Sequence, residues 1–241
     1  MSVPAIVFTD WDGTVTLQDS NDYLTENLGF GRSRRLEIND EILNGKKSFK
    51  DGFSEMLKSI PTPFPECIDY LLKHVDLDPG FKEFYSWCVT KNIPVVVISS
   101  GMAPIIKALL GKLVGTDVVE NIKIISNSVK IDDVTGAWEI VYKDSDTGFG
   151  HDKSKSIREY LAKKGFSADH MPPVFYCGDG VSDVSAAKET KLLFAKEGRD
   201  LIIHCKRENI PYTTFSDFSE IFAKVKSIVE DKKPISDYIL N

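Results

Sequence analysis

The sequence has no apolar run long enough to cross a membrane. Its longest purely apolar stretches, such as Val95 to Ile98, fall far below the ~20 residues that a spanning helix needs. Cysteine is scarce: Cys67, Cys88, Cys177 and Cys205 are scattered, and none form a Cys-x-x-Cys pair. That argues against a dithiol redox motif or a cysteine zinc site, and fits small apolar residues in a reducing compartment. Positive charge is not in surplus, with 30 Lys plus Arg against 36 Asp plus Glu and a net charge of -6. This balance speaks against nucleic acid as the main partner. An anionic substrate stays open, because a site can be locally positive on an acidic protein. There is no internal repeat and no low-complexity tract. The stretch from Met1 to Phe8 has no basic n-region and no apolar h-region with a cleavage site. The expectation is a cytoplasmic protein with no membrane partner, monomeric by default.

What is present is an ordinary globular composition, 42% hydrophobic and 27% charged over 241 residues. That length allows one large domain, or a core with a smaller attachment. Ala5 to Phe8 reads as a buried strand that ends in the turn Thr9-Asp10-Trp11-Asp12-Gly13. From Leu17 to Val75 the apolar residues recur at helical spacing, and glycines and the Pro61–Pro65 cluster break the segment into short helices. Beyond Pro79-Gly80 strands alternate with helices. Phe81 to Thr90 reads as a helix, Pro94 to Ile98 as a strand and Ala103 to Leu113 as a helix. Residues 122–141 read as strands or a hairpin, and Asp152 to Lys164 as a helix. Val174 to Cys177 and Leu192 to Ala195 read as strands. Helices follow at Ser182 to Glu189, Arg199 to Glu208 and Ser216 to Glu230. The fold class expected is α/β, a Rossmann-like parallel sheet with helices on both faces. A helical cap, residues 17–76, is inserted after the first strand, and residues 1–16 and 77–241 form the catalytic core.

Three polar clusters each follow an apolar strand: Asp10 and Asp12, Ser99 and Ser100, and Asp179 and Asp183. Ligands of open parallel sheets bind outside the carboxyl ends of the strands, so these distant clusters are expected to meet at one edge. Four acids brought together raise one another's pKa values, and a hard divalent cation resolves that conflict. All-oxygen ligands favour magnesium over zinc. Lys153 falls in a first helical turn, where a cation opposes the helix dipole. The reading is that it faces an anion there together with the helix N-terminus. Ser99, Ser100 and Gly101 add a hydroxyl and backbone donors at another helix start.

Asp10-Trp-Asp12-Gly-Thr14-Val, Ser99 after a β-branched strand, Lys153 and Gly178-Asp179-Gly-Val-Ser-Asp183 resemble the four motifs of the haloacid dehalogenase-like hydrolases. The helical insert resembles the small cap of the phosphoserine phosphatase-like branch. Gly178 to Lys188 and Asn209 to Phe215 resemble the methylthio-ketopentenyl phosphate phosphatases of that branch. The resemblance implies an Mg2+-dependent phosphomonoesterase acting on a small phosphorylated metabolite. It implies Asp10 as nucleophile and Asp12 as acid and base. The implied metal ligands are Asp10, Asp12 through its carbonyl, Asp179, and Asp183 through water. Ser99, Ser100, Gly101, Lys153 and the Trp11 backbone are implied for the phosphoryl group. Gln18, Asp19 and Asn21, near the hinge, are the candidates for contact with the substrate's leaving group. Arg32, Arg34 and Arg35 read as a solvated helix face. His151 reads as capping or exposed, with substrate contact as the alternative, and Phe49, Phe53 and Met56 read as cap core. A phosphotransferase or mutase, or a non-catalytic metabolite sensor, remains open beside the phosphatase. Methylthio-ketopentenyl phosphate, phosphoserine and sugar or polyol phosphates remain open as substrates.

Overall fold

The computed structural model describes residues 3–167 and 170–240, with residues 117 and 118 described at the level of the backbone. The outermost residues of the expected core range, and residues 168 and 169 within it, lie outside that description. In chain order the elements are β1 (Ile6–Thr9), α1 (Ser20–Leu28), α2 (Arg32–Leu43), α3 (Phe49–Lys58), α4 (Phe64–His74), α5 (Phe81–Thr90), β2 (Val95–Met102), α6 (Ala103–Val114), α7 (Thr116–Val119), β3 (Lys123–Ile131), β4 (Trp138–Val141), α8 (Lys153–Lys163), β5 (Val174–Gly178), α9 (Val184–Ala187), β6 (Leu192–Lys196), α10 (Asp200–Glu208), β7 (Thr213–Phe215) and α11 (Phe218–Val229). Among the described residues no helix is long and apolar enough to cross a membrane.

The chain divides into two compact units. The first comprises residues 1–15, 77–98 and 153–241. Its strands run in the order β2-β1-β5-β6-β7, all parallel. Every residue of β1 and β5 is buried, as a strand with helices on both faces requires. Phe8 meets Tyr160 of α8 edge to face at 5.5 Å, and Phe81 of α5 meets Phe218 of α11 at 4.9 Å. Each fully buried phenylalanine here, Phe8, Phe81 and Phe218, is worth roughly 1.5–3 kcal/mol of burial. Asp78, wholly buried, ties α5 to α11 by accepting from the Gly80 and Phe218 amides at 2.9 and 3.1 Å. Lys196, at the end of β6, stands 3.6 Å from the same carboxylate.

The second unit comprises residues 16–76 and 99–152. Its helices α1 to α4 are cut by capping chemistry. Asp19 caps α1 by accepting from the Asn21 and Asp22 amides, and Ser48 caps α3 by accepting from Asp51. The two ends of the helical stretch are tied, since the Leu17 amide donates to the Asp76 carbonyl at 2.9 Å. Phe53 and Met56 are buried here, while Phe49 is half-buried. The antiparallel pair β3–β4 belongs to this unit as well. Trp138 Nε1 donates to the Thr62 carbonyl, and the Tyr142 hydroxyl bonds Ser54 Oγ at 2.8 Å.

Several elements differ from the reading by pattern. The helix read over Ser182 to Glu189 is a 3-10 turn at Val181–Asp183 followed by α9 alone, and the short α7 carries no pattern of its own. The strand expected to stop at Ile98 continues through Ser99, Ser100 and Gly101 to Met102, because backbone pairing there overrides the polar side chains. A last strand, β7, was too short to be told from a loop.

Candidate active site

Two strands of the first unit, β1 and β5, deliver its chemistry at their carboxyl ends. Asp10 is the first residue past β1, and its amide still donates to the Cys177 carbonyl of β5 at 2.8 Å. Asp179 is the first residue past β5. Gly13 joins the two loops: it adopts φ +74°, and a Cβ there would stand 2.2 Å from Asp179 Oδ2. Only glycine admits both the turn and the approach. The Trp11 ring is fully buried, and its carbonyl accepts from Thr14 and Val15, which fixes the turn carrying Asp12. Asp12 is buried too.

Lys153 opens α8 with a side chain only 1% exposed. Its ammonium lies 2.9 Å from Asp10 Oδ1 and 2.7 Å from Asp183 Oδ1. Burial pulls its pKa down, but the Asp10 and Asp183 charges outweigh that and hold it above its ordinary value. The lysine is a permanent cation. Burial raises the Asp10 carboxyl to about 7, with the Asp183 charge adding to the rise and Lys153 opposing it. Asp183 accepts four hydrogen bonds. Oδ1 takes Lys153 and the Tyr176 hydroxyl, the latter at 2.6 Å, and Oδ2 takes the Asp179 and Gly180 amides at 3.0 Å each. Burial and the adjacent carboxylates push the Tyr176 phenol well above its ordinary pKa, so it is the donor.

Asp10, Asp179 and Asp183 each offer a carboxylate oxygen within 4.8 Å of the others. Two of these three acids, Asp10 and Asp183, share Lys153, all the ligand atoms are hard oxygens, and the Asp10 carboxyl is pushed up by its surroundings. This donor set fits a magnesium-like ion.

The remaining sequence candidates belong to the second unit. Ser99 Oγ accepts from the Gly101 amide at 2.9 Å, and the Ser99 carbonyl is bonded by His151 Nδ1 at 2.7 Å. His151 is 2% exposed, so it is not the surface residue expected, and its ring is bonded to the end of β2. Ser100 Oγ is shielded from solvent with no hydrogen-bond partner. Asp19 and Asn21 begin α1, with the Asp19 carboxylate spent on the cap and Asn21 buried. Arg35 departs from the solvated face expected of its run. It is buried, with bonds of 2.8 Å to Asp22 and 2.6 Å to Glu26, because α2 turns Arg35 and Ile38 inward against α1. Arg34 pairs with Glu37, Glu41 and Glu55, and Arg32 lies 4.0 Å from Glu26. Tyr176 escaped the sequence reading. Its only signal is a hydroxyl in an otherwise apolar strand just before the Asp179 loop.

The chain matches the haloacid dehalogenase-like hydrolase family over residues 7–188 and belongs to it. It is an enzyme of the phosphomonoesterase group in that family. It is 51% identical to a Saccharomyces cerevisiae protein named polyol phosphate phosphatase PYP1, over 99% of this chain and 100% of that one. A Schizosaccharomyces pombe protein named Pdp3-interacting factor 1 is 47% identical over 92% of this chain and 95% of its own length. A Bacillus cereus 2-hydroxy-3-keto-5-methylthiopentenyl-1-phosphate phosphatase is 29% identical over 94% and 98%. Among solved structures, one of phosphoserine phosphatase as a phospho-aspartyl intermediate analogue shares the fold. Its TM-score is 0.68 at 17% identity, covering 93% of this chain and 99% of that one.

Proposed function

We propose that this protein hydrolyses the phosphomonoester of a small, uncharged polyol, with Mg2+ as cofactor and Asp10 as nucleophile. The observation that carries the reading is the buried Lys153 ammonium, 2.9 Å from Asp10 Oδ1 at the carboxyl edge of the sheet. A permanent cation beside that carboxylate is what a phosphoryl dianion needs as it approaches.

In this reading an Asp10 oxygen attacks phosphorus while the ester oxygen departs. Asp12 gives that oxygen a proton, releasing the alcohol and leaving an aspartyl-phosphate. Asp12 then takes a proton from water, whose oxygen attacks phosphorus and frees Asp10 and inorganic phosphate. Lys153, Ser99 and Ser100, with the amides of Trp11 and Gly101, hold the phosphoryl oxygens. The orphaned Ser100 hydroxyl supports that role. Asp10, the Asp12 carbonyl and Asp179 would hold the ion. Asp183, with both oxygens already taken, would reach it only through water. When bound, the ion supplies positive charge between nucleophile and phosphoryl group. Residues 17–76 serve as the cap, with Asp19 and Asn21 toward the leaving group. Residues 1–16 and 77–241 serve as the catalytic domain. The protein acts as a cytoplasmic monomer on a soluble metabolite.

The choice of a polyol rests on two supports. One is the full-length similarity to the yeast polyol phosphate phosphatase. The other is that all three arginines of residues 17–76 are paired with acids of their own unit, which leaves none of them to clamp a substrate carboxylate such as that of phosphoserine.

The test is phosphate release from polyol phosphates, phosphoserine and methylthio-ketopentenyl phosphate, with Mg2+ and after chelation. Wild type should favour the polyol esters and stop on chelation. Asp10→Asn should keep its fold and lose at least about 10⁴-fold in rate. Normal turnover by that variant would sink the nucleophile. Preference for phosphoserine would sink the polyol, and less free phosphate when an acceptor alcohol is added would mean transfer rather than hydrolysis.

A further inference from the structure

We propose that Tyr176 is a positioning residue whose hydroxyl holds the Asp183 carboxylate in the orientation that shares Lys153 with Asp10. The inference rests on the roles given above to Asp10, Lys153 and Asp179.

A carboxylate has about four acceptor positions. Those of Asp183 are all engaged: Lys153 at 2.7 Å and Tyr176 at 2.6 Å on Oδ1, and the Asp179 and Gly180 amides on Oδ2. The four donors differ in how firmly they are held. Lys153 has a flexible stem, and the two amides belong to a loop. Tyr176 lies within β5, in register with Phe8 of β1 on one side and Leu193 of β6 on the other, and it is fully buried. Its hydroxyl is therefore placed by the sheet itself, and it is the only one of the four anchored that way. Gly178 lets the carboxylate lie close, since a Cβ there would stand 2.5 Å from Asp183 Cγ.

Without the hydroxyl, Oδ1 keeps the ammonium as its only partner. The carboxylate is then free to turn toward Lys153, which draws the ammonium from Asp10 and loosens the grip of Oδ2 on the Asp179 and Gly180 amides. One missing oxygen atom thus disturbs both the cation beside the nucleophile and the loop that carries a metal carboxylate. A merely structural hydroxyl would stabilise the fold and do neither.

Tyr176→Phe separates these roles, with Phe175→Leu on the same strand as a packing control. Two quantities are read: p-nitrophenyl phosphate kinetics, and Mg2+ affinity by calorimetry without substrate. Tyr176→Phe should lower kcat by about ten- to a hundredfold. It should leave KM near the wild-type value and weaken Mg2+ binding severalfold. Phe175→Leu should melt at a lower temperature yet keep kcat and Mg2+ affinity. The proposal is overturned if Tyr176→Phe keeps both quantities and loses only melting temperature. It is also overturned if Tyr176→Phe does not fold, because the hydroxyl would then be a folding requirement. A wild type that binds Mg2+ but hydrolyses no phosphoester would refute the proposed function, and the calorimetry would still decide Tyr176.

Discussion

Two charge networks of similar bond length behave as opposites. In the first unit Lys153 sits 2.7–2.9 Å from Asp183 and Asp10, with side chains 0–9% exposed. In the second unit Arg34 and Lys47 reach Glu41 and Glu55 over 2.5–3.3 Å, with side chains 21–40% exposed. At equal distance an ion pair is worth about four times more at a protein-like dielectric than in water. The buried set cannot draw on solvent to complete its bonds, so every missing partner is felt. The exposed set can replace any partner with water. The lesson is that distance does not rank these contacts; burial and the count of remaining donors do.

Substitutions can break that contrast. The largest effect belongs to Lys153→Met, which leaves Asp10 and Asp183 buried without their cation. It should cost about 3–5 kcal/mol in urea unfolding and abolish hydrolysis. A loss no larger than that of a surface variant would mean the cluster is wetter than its exposures indicate. Asp78→Ala comes next. It strips the Gly80 and Phe218 amides of their acceptor and leaves Lys196 without its counter-ion. The expected loss is about 1–3 kcal/mol, with kcat per folded molecule unchanged. A fall in kcat would show that the α5–α11 tie reaches the site. The smallest effect belongs to Arg34→Ala, whose melting midpoint should match wild type at low and high sodium chloride, because water and salt already screen those pairs. A clear drop in that midpoint, vanishing with salt, would promote the exposed network to a structural element.

Much of the site was legible because it depends on chain-local facts. Asp10, Asp179 and Lys153 each stand where an apolar strand ends or a helix begins, and the parallel sheet fixes which end of each strand carries chemistry. The bounds of α5 agree with the helix read from the apolar spacing of Phe81 to Thr90. What stayed illegible depends on partners distant in sequence. Arg35 looks like its exposed neighbours until α1 presents Asp22 and Glu26 to it. His151 looks like a loop histidine until the end of β2 offers its carbonyl. Tyr176 looks like core filling until Asp183 folds back to meet its hydroxyl.

The sequence by itself determined the alternation of strands and helices, the acids at the strand ends and the family these define. Hydrophobic period and turn chemistry are properties of neighbouring residues, so they survive without a fold. Only the tertiary structure decided which charges are paired and which are stranded. It made Lys153 a shared cation, paired Arg34 and Arg35 with acids of their own unit, and gave Asp183 four donors. The reason is physical: the strength of a charge depends on the water removed around it, and that removal exists only once distant segments have packed.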